Sequence, residues 1–423
     1  MLNYFFTKTP LVFLVQSFWR DEGFSYLMAK KSIFQILIST ARDFSPPFYY
    51  LTLHYWMKIF GSSEISIRSL SLIFYWATLY VVFLFLKDIF KFSLKKSWFY
   101  LLIFILNPLL AYYAFEGRMY SMFAFFATLS FYSLYKKNSK LYILSSIFGL
   151  YTHYFMILVV AAQYLFSKFK QINILLGFLP WMIFVLTQKE FPAGSFWIKK
   201  PVLANIFTFL GQIYSGFDFE LKKINLVTVF IFILIPLLTC IGVYLFKKEK
   251  KMEKKLFNYL FLWAVYIPLF VLFISFIKPL FIARYLIFST VGLILLLILI
   301  IEKFPRLLRI IIIISIITLS FLYQKFEIKE RQKTNMRKPL SEIKSLMKQG
   351  DFLYVTSELD YFTAIYYLDE NKVFIYGKRY EEIPYYIGKT LLPKEKVISS
   401  LPYYPHKAFI LNSWGDYIIQ ATY

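Results

Sequence analysis

Long apolar stretches recur along this chain, and lysine clusters separate them. A membrane-crossing helix needs about 20 predominantly apolar residues. Of the 423 residues, 59% are hydrophobic, and the mean hydropathy is +0.58, which excludes a water-soluble globule. We therefore predict a polytopic membrane helix bundle with helices near residues 70-88, 98-115, 119-135, 140-152, 154-167, 172-188, 225-246, 257-277, 284-302 and 308-325, plus a shortened first helix before Ser17.

The lysine clusters predict the orientation of the bundle. Cytoplasmic loops of membrane proteins carry an excess of Lys and Arg, and here the basic clusters fall on alternate turns. Dividing residues 140-167 into two helices preserves this alternation, which favours about eleven transmembrane helices over ten. The predicted cytoplasmic clusters are Lys91-Lys95-Lys96, Lys136-Lys137-Lys140, Lys168-Lys170, the run 247-255 and Lys303-Arg306-Arg309.

The basic composition limits the possible partners. The net charge is +24, but the lysines lie between apolar segments, as in cytoplasmic loops that contact anionic membrane lipid. We therefore expect membrane lipid, and no nucleic acid, as a partner. The single cysteine, Cys240, lies within an apolar stretch, which excludes an intrachain disulfide and a cysteine metal cluster.

The character of the sequence changes near residue 326. Residues 339-349 have helical periodicity, and short β-type runs follow at 351-355, 372-376 and 407-411. We predict two domains: a transmembrane domain over residues 1-325 and a small extracytoplasmic α/β domain over residues 326-423. Because fewer than 100 residues build only a limited core, we expect the small domain to pack on the membrane part.

The predicted first outer loop, residues 18-69, carries an adjacent carboxylate pair, Asp21-Glu22, and then Asp43 in Asp43-Phe44-Ser45-Pro46-Pro47. Carboxylates close to a bilayer are costly to desolvate and are usually functional. The pair could deprotonate a hydroxyl group or hold a cation. The alternative is a structural role, since Asp and Glu are ordinary residues in the first turn of a helix.

Other polar residues gather on the same predicted side. A transferase that takes a sugar from a phospholipid carrier needs a base for the acceptor hydroxyl and cations for the departing phosphate. Asp21 is the candidate base, and Arg118 and Arg284 are candidate phosphate ligands because a guanidinium binds phosphate through two parallel hydrogen bonds. Alternatively, both arginines are interfacial residues whose charged ends reach water.

A divalent metal ion is a possible cofactor. Its candidate ligands are His153, Glu22 and Asp43, and the two carboxylates could instead orient the acceptor. A lone histidine at the end of a helix is more often packed and hydrogen-bonded than bound to a metal.

In this order along the chain, these residues resemble the GT-C glycosyltransferases, in particular the group that includes the protein O-mannosyltransferases (glycosyltransferase family 39) and aminoarabinose transferases. Each motif is weak alone, but the ordered set over residues 18-290 is specific. The motifs are Trp19-Arg20-Asp21-Glu22-Gly23-Phe24-Ser25, Asp43-Phe44-Ser45-Pro46-Pro47-Phe48-Tyr49-Tyr50, the segment 60-71, Asn107-Pro108, Glu116-Gly117-Arg118-Met119-Tyr120, Tyr151-Thr152-His153-Tyr154-Phe155, Ser195-Phe196-Trp197-Ile198 and Arg284-Tyr285-Leu286.

The resemblance implies an inverting membrane transferase that moves a sugar from a polyprenyl-phosphate donor to a hydroxyl of a protein, glycan or lipid on the outer face of the cell membrane. It implies that Asp21 is the catalytic aspartate and Glu22 its acidic partner, and that Asp43 is the acid of the D-x-x-P-P element.

The same resemblance implies which residues bind the donor phosphate. The arginine at the end of the first loop corresponds to Arg68. The R-x-Y and R-Y elements correspond to Arg118-Tyr120 and Arg284-Tyr285.

A transporter or flippase of a lipid-linked substrate is the alternative function. Such proteins place charged residues near the middle of the bilayer, on broken helices in repeated halves. In this sequence the charges lie on one predicted outer side, without visible repeats, which favours the enzyme.

Overall fold

The computed structural model describes residues 2–166, 171–188, 197–219 and 224–423. Lys168, Lys170, Ser195 and Phe196, which the sequence analysis singled out, lie outside them. The helices of the first half are α1 (Leu2–Lys8), α2 (Val12–Val15), α3 (Arg20–Lys30), α4 (Ile33–Ala41), α5 (Phe48–Phe60), α6 (Glu64–Leu84), α7 (Leu94–Ile105), α8 (Pro108–Ala114), α9 (Tyr120–Tyr135), α10 (Ser139–Thr152) and α11 (Met156–Tyr164).

The second half of the membrane part continues with helices of similar composition. They are α12 (Gln171–Gln188), α13 (Ala204–Ser215), α14 (Leu226–Phe246), α15 (Lys251–Phe261), α16 (Ile267–Ser275), α17 (Ile287–Ile301) and α18 (Arg306–Glu330). A π-helical turn joins α15 to α16, and another extends α6 to Ile89.

The predicted polytopic bundle is confirmed. Each of the ten predicted apolar stretches contains a helix. Among the described residues, five continuous helices are long and apolar enough to cross a membrane, and a bent pair makes a possible sixth. The long helices are Glu64–Ile89, Leu226–Phe246, Lys251–Ser275, Ala283–Ile301 and Arg306–Glu330. The total of eleven crossings stays a prediction.

The stretch predicted as one helix over residues 98-115 is two helices, α7 and α8, bent by 75°. Pro108 has no N–H group to continue the helical hydrogen bonds of α7. The side chain of Asn107 accepts a hydrogen bond from the backbone N–H of Leu110 (3.0 Å) and so caps the new helix. The prediction of one helix over residues 98-115 was therefore wrong at this point.

The predicted division of residues 140-167 is confirmed. Helix α10 ends at Thr152, His153 has an extended backbone (φ −155°), and α11 begins at Met156. Near the N-terminus, α1 and α2 are separated at Thr9–Leu11, close to Pro10, which agrees with a shortened first helix.

Basic clusters that were predicted to share one side of the membrane meet at one end of the bundle. Glu302 forms ion pairs with Lys96 (2.6 Å) and Arg309 (3.1 Å), and Lys303 forms one with Glu249 (2.8 Å). Three loops that are distant in sequence therefore lie together, as the alternation of charges required.

The C-terminal residues form a small α/β unit. Helix α19 (Arg337–Leu346) precedes β1 (Phe352–Val355), α20 (Tyr361–Tyr367), β2 (Val373–Tyr376), β3 (Val397–Ile398), β4 (Ala408–Leu411) and β5 (Tyr417–Gln420). The sheet order is β3-β2-β1-β4-β5, with only β5 antiparallel. The three strands predicted from the sequence are β1, β2 and β4.

The small unit packs directly on α3, the helix that carries Asp21 and Glu22. Arg20 Nε donates to Asp360 Oδ1 (2.8 Å), and Tyr367 donates its hydroxyl to Glu64 at the start of α6 (2.6 Å). A Cβ atom at Gly23 would lie 2.7 Å from the backbone of Phe362, so only glycine permits this close approach. The expected packing of the small domain on the membrane part is thus present.

Candidate active site

Asp21 and Glu22 lie in the first turn of α3, and their side chains point into different environments. The Glu22 carboxylate accepts a hydrogen bond from the backbone N–H of Trp19 (3.0 Å), just before the helix begins. Carboxylates are favoured here because the N–H groups of a first turn have no helical partners. Glu22 is completely buried, whereas the side chain of Asp21 is 41% exposed.

Glu22 lies at the centre of a buried set of hydrogen bonds that we call the Glu22 junction. Arg68 donates Nε and Nη2 to its two oxygens, at 2.7 Å each. The Nζ atom of Lys333, whose side chain is 4% exposed, donates to Oε2 (3.0 Å), and the N–H of Gly117 donates to Oε1 (2.9 Å). Burial alone raises the pKa of Glu22, but Arg68 and Lys333 lower that pKa far below its usual range.

Arg68 has no N–H group left over for a donor phosphate in this arrangement. Its remaining N–H groups donate to the backbone carbonyls of Leu14 (2.9 Å), Gln16 (2.7 Å) and Ser17 (3.1 Å). A guanidinium has five N–H groups, and protein acceptors engage all of them. The phosphate-binding role of Arg68 stays a prediction, and its contacts point to holding the chain before α3.

A second cluster, the Asp21 pocket, consists of Asp21, Arg118, Arg284, Tyr120 and Tyr285. Arg284 Nη1 lies 4.0 Å from Asp21 Oδ2, and Arg118 Nη1 lies 3.4 Å from the backbone carbonyl of Asp21. The Tyr120 and Tyr285 rings stack with centroids 6.2 Å apart. Three distant segments of the chain therefore place a carboxylate, two guanidinium groups and two phenols together.

Several buried polar atoms in and beside the Asp21 pocket lack a hydrogen bond among the described residues. They are Nε of Arg118, Nε of Arg284 and the hydroxyl of Tyr50. Buried polar atoms in native proteins are almost always bonded, so unbonded donors at one site call for an explanation. A ligand with several oxygen acceptors, such as a phosphate, matches this set of donors.

His153 closes one side of the pocket as a packed ring. It stacks on Phe123 (centroids 4.6 Å apart, planes 10° apart) and lies 5.4 Å from the Tyr285 ring. Its Nδ1 accepts a hydrogen bond from the backbone N–H of Phe155 (3.1 Å). Burial, together with the charge of Arg118, lowers the pKa of His153 to about 3, so the ring is neutral at physiological pH.

Asp43 is buried, and its charge interacts with the phenol of Tyr50. Burial raises the pKa of Tyr50 to about 12, a rise that Arg118 opposes and Asp43 adds to. The three metal candidates His153, Glu22 and Asp43 do not form a cluster: the described residues contain no group of three or more His, Cys, Asp or Glu side chains placed to share a metal ion. A metal role for each of them stays a prediction.

Glu116 was not among the predicted site residues, although it lies in the motif that contains Arg118. Its side chain is buried, and its charge interacts with Asp21, Glu22, Lys333 and Arg284. Burial raises the pKa of Glu116, and Lys333 opposes that rise. The neighbouring peptide groups are fixed, because the Ser71 hydroxyl donates to the Glu116 carbonyl (2.6 Å).

Lys333 was missed by sequence reasoning. It lies in a basic segment between α18 and α19 that resembles any charged linker, and no local pattern distinguishes it. Only the folding of this linker along residues 14–17 brings it to Glu22; for example, its backbone N–H donates to Gln16 Oε1 (3.1 Å).

Comparison with solved structures gives the same architecture. No protein-family model and no curated protein matches the chain. The crystal structure of ArnT from Cupriavidus metallidurans in the apo state superposes with a TM-score of 0.63 and 12% identity, covering 95% of this chain and 91% of that one. This chain has the GT-C fold of ArnT. The fold predicted from the ordered motifs is therefore confirmed.

A second ArnT structure, bound to undecaprenyl phosphate, has a TM-score of 0.59 and 11% identity over the same shares of the two chains. Identity at this level establishes the shared fold alone. The GT-C fold of ArnT nevertheless accommodates a helix bundle and a C-terminal domain in one chain, and both are present here.

Proposed function

We propose that this protein is an integral-membrane glycosyltransferase that moves a sugar from a polyprenyl-phosphate donor to a hydroxyl acceptor. The observation that carries the proposal is the Asp21 pocket, where a half-exposed carboxylate lies beside two arginines with unbonded buried donors. The fold shared with ArnT, one structure of which holds undecaprenyl phosphate, supports a lipid-phosphate donor.

The proposed reaction is a single displacement. The acceptor oxygen attacks the anomeric carbon while the bond from that carbon to the phosphate oxygen breaks. The acceptor proton passes to the Asp21 carboxylate, and the bonding electrons leave with the polyprenyl phosphate. A positioned base typically accelerates such a step about 10²- to 10⁴-fold.

Arg118 and Arg284 are proposed to hold the departing phosphate. The 4.0 Å separation between Arg284 Nη1 and Asp21 Oδ2 exceeds hydrogen-bonding distance. The guanidinium is therefore not committed to the carboxylate and retains donors for another oxyanion. Charge that develops on the phosphate is stabilised best by donors already fixed in place.

The Glu22 junction is proposed to position Asp21 rather than to react. Its carboxylate is buried and saturated by protein donors, so it neither contacts an acceptor nor takes up a proton at neutral pH. We further propose that the Asp21 pocket and the small domain lie on the extracytoplasmic side of the cell membrane, opposite the lysine clusters.

The direct test incubates the purified full chain with a panel of polyprenyl-phosphate sugars and measures release of free polyprenyl phosphate. We expect release from at least one donor, faster when a hydroxyl acceptor is present. Movement of intact donor across vesicles, with no release of polyprenyl phosphate, would contradict the proposal and favour a transporter.

A further inference from the structure

An open cleft of about 420 Å³ lies between the small domain and the end of α6. Tyr26 and Glu64 line it from the membrane part, and Arg337, Ser341 and Lys344 line it from α19. The lining described by the structure shares no residue with the Asp21 pocket. The cleft is therefore a separate feature that glycosyl transfer does not explain.

The cleft has an excess of positive charge. Arg337 and Lys344 are its two cations, and Glu64 is its one carboxylate, which leaves one net positive charge. Glu64 is already bonded to the protein: Arg337 Nε donates to it (3.0 Å), as does the Tyr367 hydroxyl (2.6 Å). The carboxylate therefore does not neutralise Lys344.

Three donors in the cleft have no hydrogen-bond partner within the part of the chain that the structure describes. They are Nζ of Lys344 and the hydroxyl groups of Tyr26 and Ser341. Together with the positive charge of Arg337, they fit an anion with several oxygen atoms, because hydrogen bonds to charged groups are the stronger ones.

The position of the cleft indicates the source of the anion. Glu64 is the first residue of a helix that is long and apolar enough to cross a membrane, so the cleft lies at the end of a membrane span. Next to it in the chain, Ile59, Phe60 and Ile65 are large apolar residues that are exposed. A polar, cationic cleft bordered by apolar surface at this level suits an amphiphile.

We propose that this cleft binds the anionic headgroup of a membrane phospholipid, with the phosphate held by Lys344 and Arg337 and the chains along Ile59, Phe60 and Ile65. The lining comes from both the membrane part and the small domain. Bound lipid therefore connects the two and stabilises their contact. This inference does not depend on the proposed enzymatic activity.

The test uses the full chain in a neutral detergent and measures binding of dioctanoyl phosphatidylglycerol, dioctanoyl phosphatidylcholine and inorganic phosphate by calorimetry. We expect phosphatidylglycerol to bind, and the Lys344→Glu variant to bind it at least about tenfold more weakly, because one charged hydrogen bond becomes a repulsion. Lys338→Glu is the matched control, since Lys338 is an exposed lysine on α19 outside the cleft lining.

The outcomes distinguish a phospholipid headgroup from a free phosphate as the anion in the cleft. Equal affinity of the wild type and Lys344→Glu for phosphatidylglycerol overturns the proposal, as does an equal loss in Lys338→Glu, which would reveal unspecific surface charge. Binding of inorganic phosphate as tightly as phosphatidylglycerol would make the ligand a free phosphate and overturn the lipid assignment. Tight phosphatidylcholine binding would show that the negative headgroup charge is irrelevant and would likewise overturn it.

Discussion

Two clusters of charge at the start of α3 differ in how completely their hydrogen bonds are made. In the Glu22 junction, the carboxylate and all five N–H groups of Arg68 have protein partners. In the Asp21 pocket, one residue away, arginine Nε atoms are buried without a partner among the described residues. A satisfied network rigidifies a structure, whereas buried donors without a partner call for an explanation, and a bound ligand is one such explanation.

The comparison predicts opposite consequences for two adjacent substitutions. Asp21→Asn keeps the shape of the side chain but removes its basicity, so we expect turnover to fall about 10²- to 10⁴-fold with the thermal unfolding midpoint unchanged. The measurement is release of polyprenyl phosphate over a range of pH. Asp416→Asn, at an exposed carboxylate, is the control, and wild-type turnover by folded Asp21→Asn protein would exclude Asp21 as the base.

Glu22→Gln should instead lower the free energy of unfolding. It leaves Arg68 and Lys333 as buried charges without a counter-charge, and breaking a buried pair in this way costs roughly 3 to 5 kcal/mol. We expect a markedly lower unfolding midpoint in detergent. Adding Lys333→Met should recover part of the loss, because it removes one of the two uncompensated charges. Additive effects of the two substitutions would show that Lys333 and Glu22 are not coupled.

Arg118→Lys and Arg284→Lys test whether the pocket holds phosphate. Lysine keeps the charge but loses the planar fork, so we expect kcat/KM for the donor to fall roughly 10- to 100-fold while folding is preserved. Arg379→Lys, at an exposed arginine of the small domain, should change nothing. Unchanged donor kinetics in both pocket variants would leave Arg118 and Arg284 as interfacial residues.

The smallest effect is expected at Glu116, whose pKa burial raises above its ordinary value of 4.5. Because the pKa of Glu116 is raised in the folded state, the contribution of this group to the free energy of unfolding is fully present below pH 4.5. That contribution is lost as the pH rises through the folded-state pKa. Glu116→Gln stays neutral, so it should unfold at a higher temperature than the wild type at pH 8 and at the same temperature at pH 4. Parallel pH profiles of the two proteins would contradict this sign.

The sequence predicted those parts of the molecule that depend on neighbouring residues. Apolar stretches predicted the helices, and the alternation of the basic clusters predicted the division of residues 140-167 at His153. Asn107 and Pro108 are typical of a helix break, but the residues on both sides are continuously hydrophobic, which favoured the prediction of a single helix. The motif order led to the GT-C fold, although identity to the ArnT structures is only 11–12%.

The remainder depends on contacts between distant segments. Nothing local distinguishes Lys333 from other linker lysines, or the Gly117 N–H from any other peptide group, yet both bind Glu22. Likewise, the acid pair gave no indication that Glu22 would be buried and Asp21 exposed. The directions of the Asp21 and Glu22 side chains depend on the residues that pack around the first turn of α3, above all on Arg68, which binds Glu22.

The contact between Arg20 and Asp360 has a consequence for biosynthesis, because the two residues are 340 positions apart. At ribosomal rates of about 5 to 20 residues per second, roughly 20 to 70 s pass between synthesis of the two residues. During this interval the helix bearing Asp21 has neither its Lys333 contact nor its docked C-terminal unit. The nascent chain therefore enters the membrane with Asp21 and Glu22 on a helix that has not yet gained its contacts with Lys333 and Asp360, because both of those residues are synthesised much later.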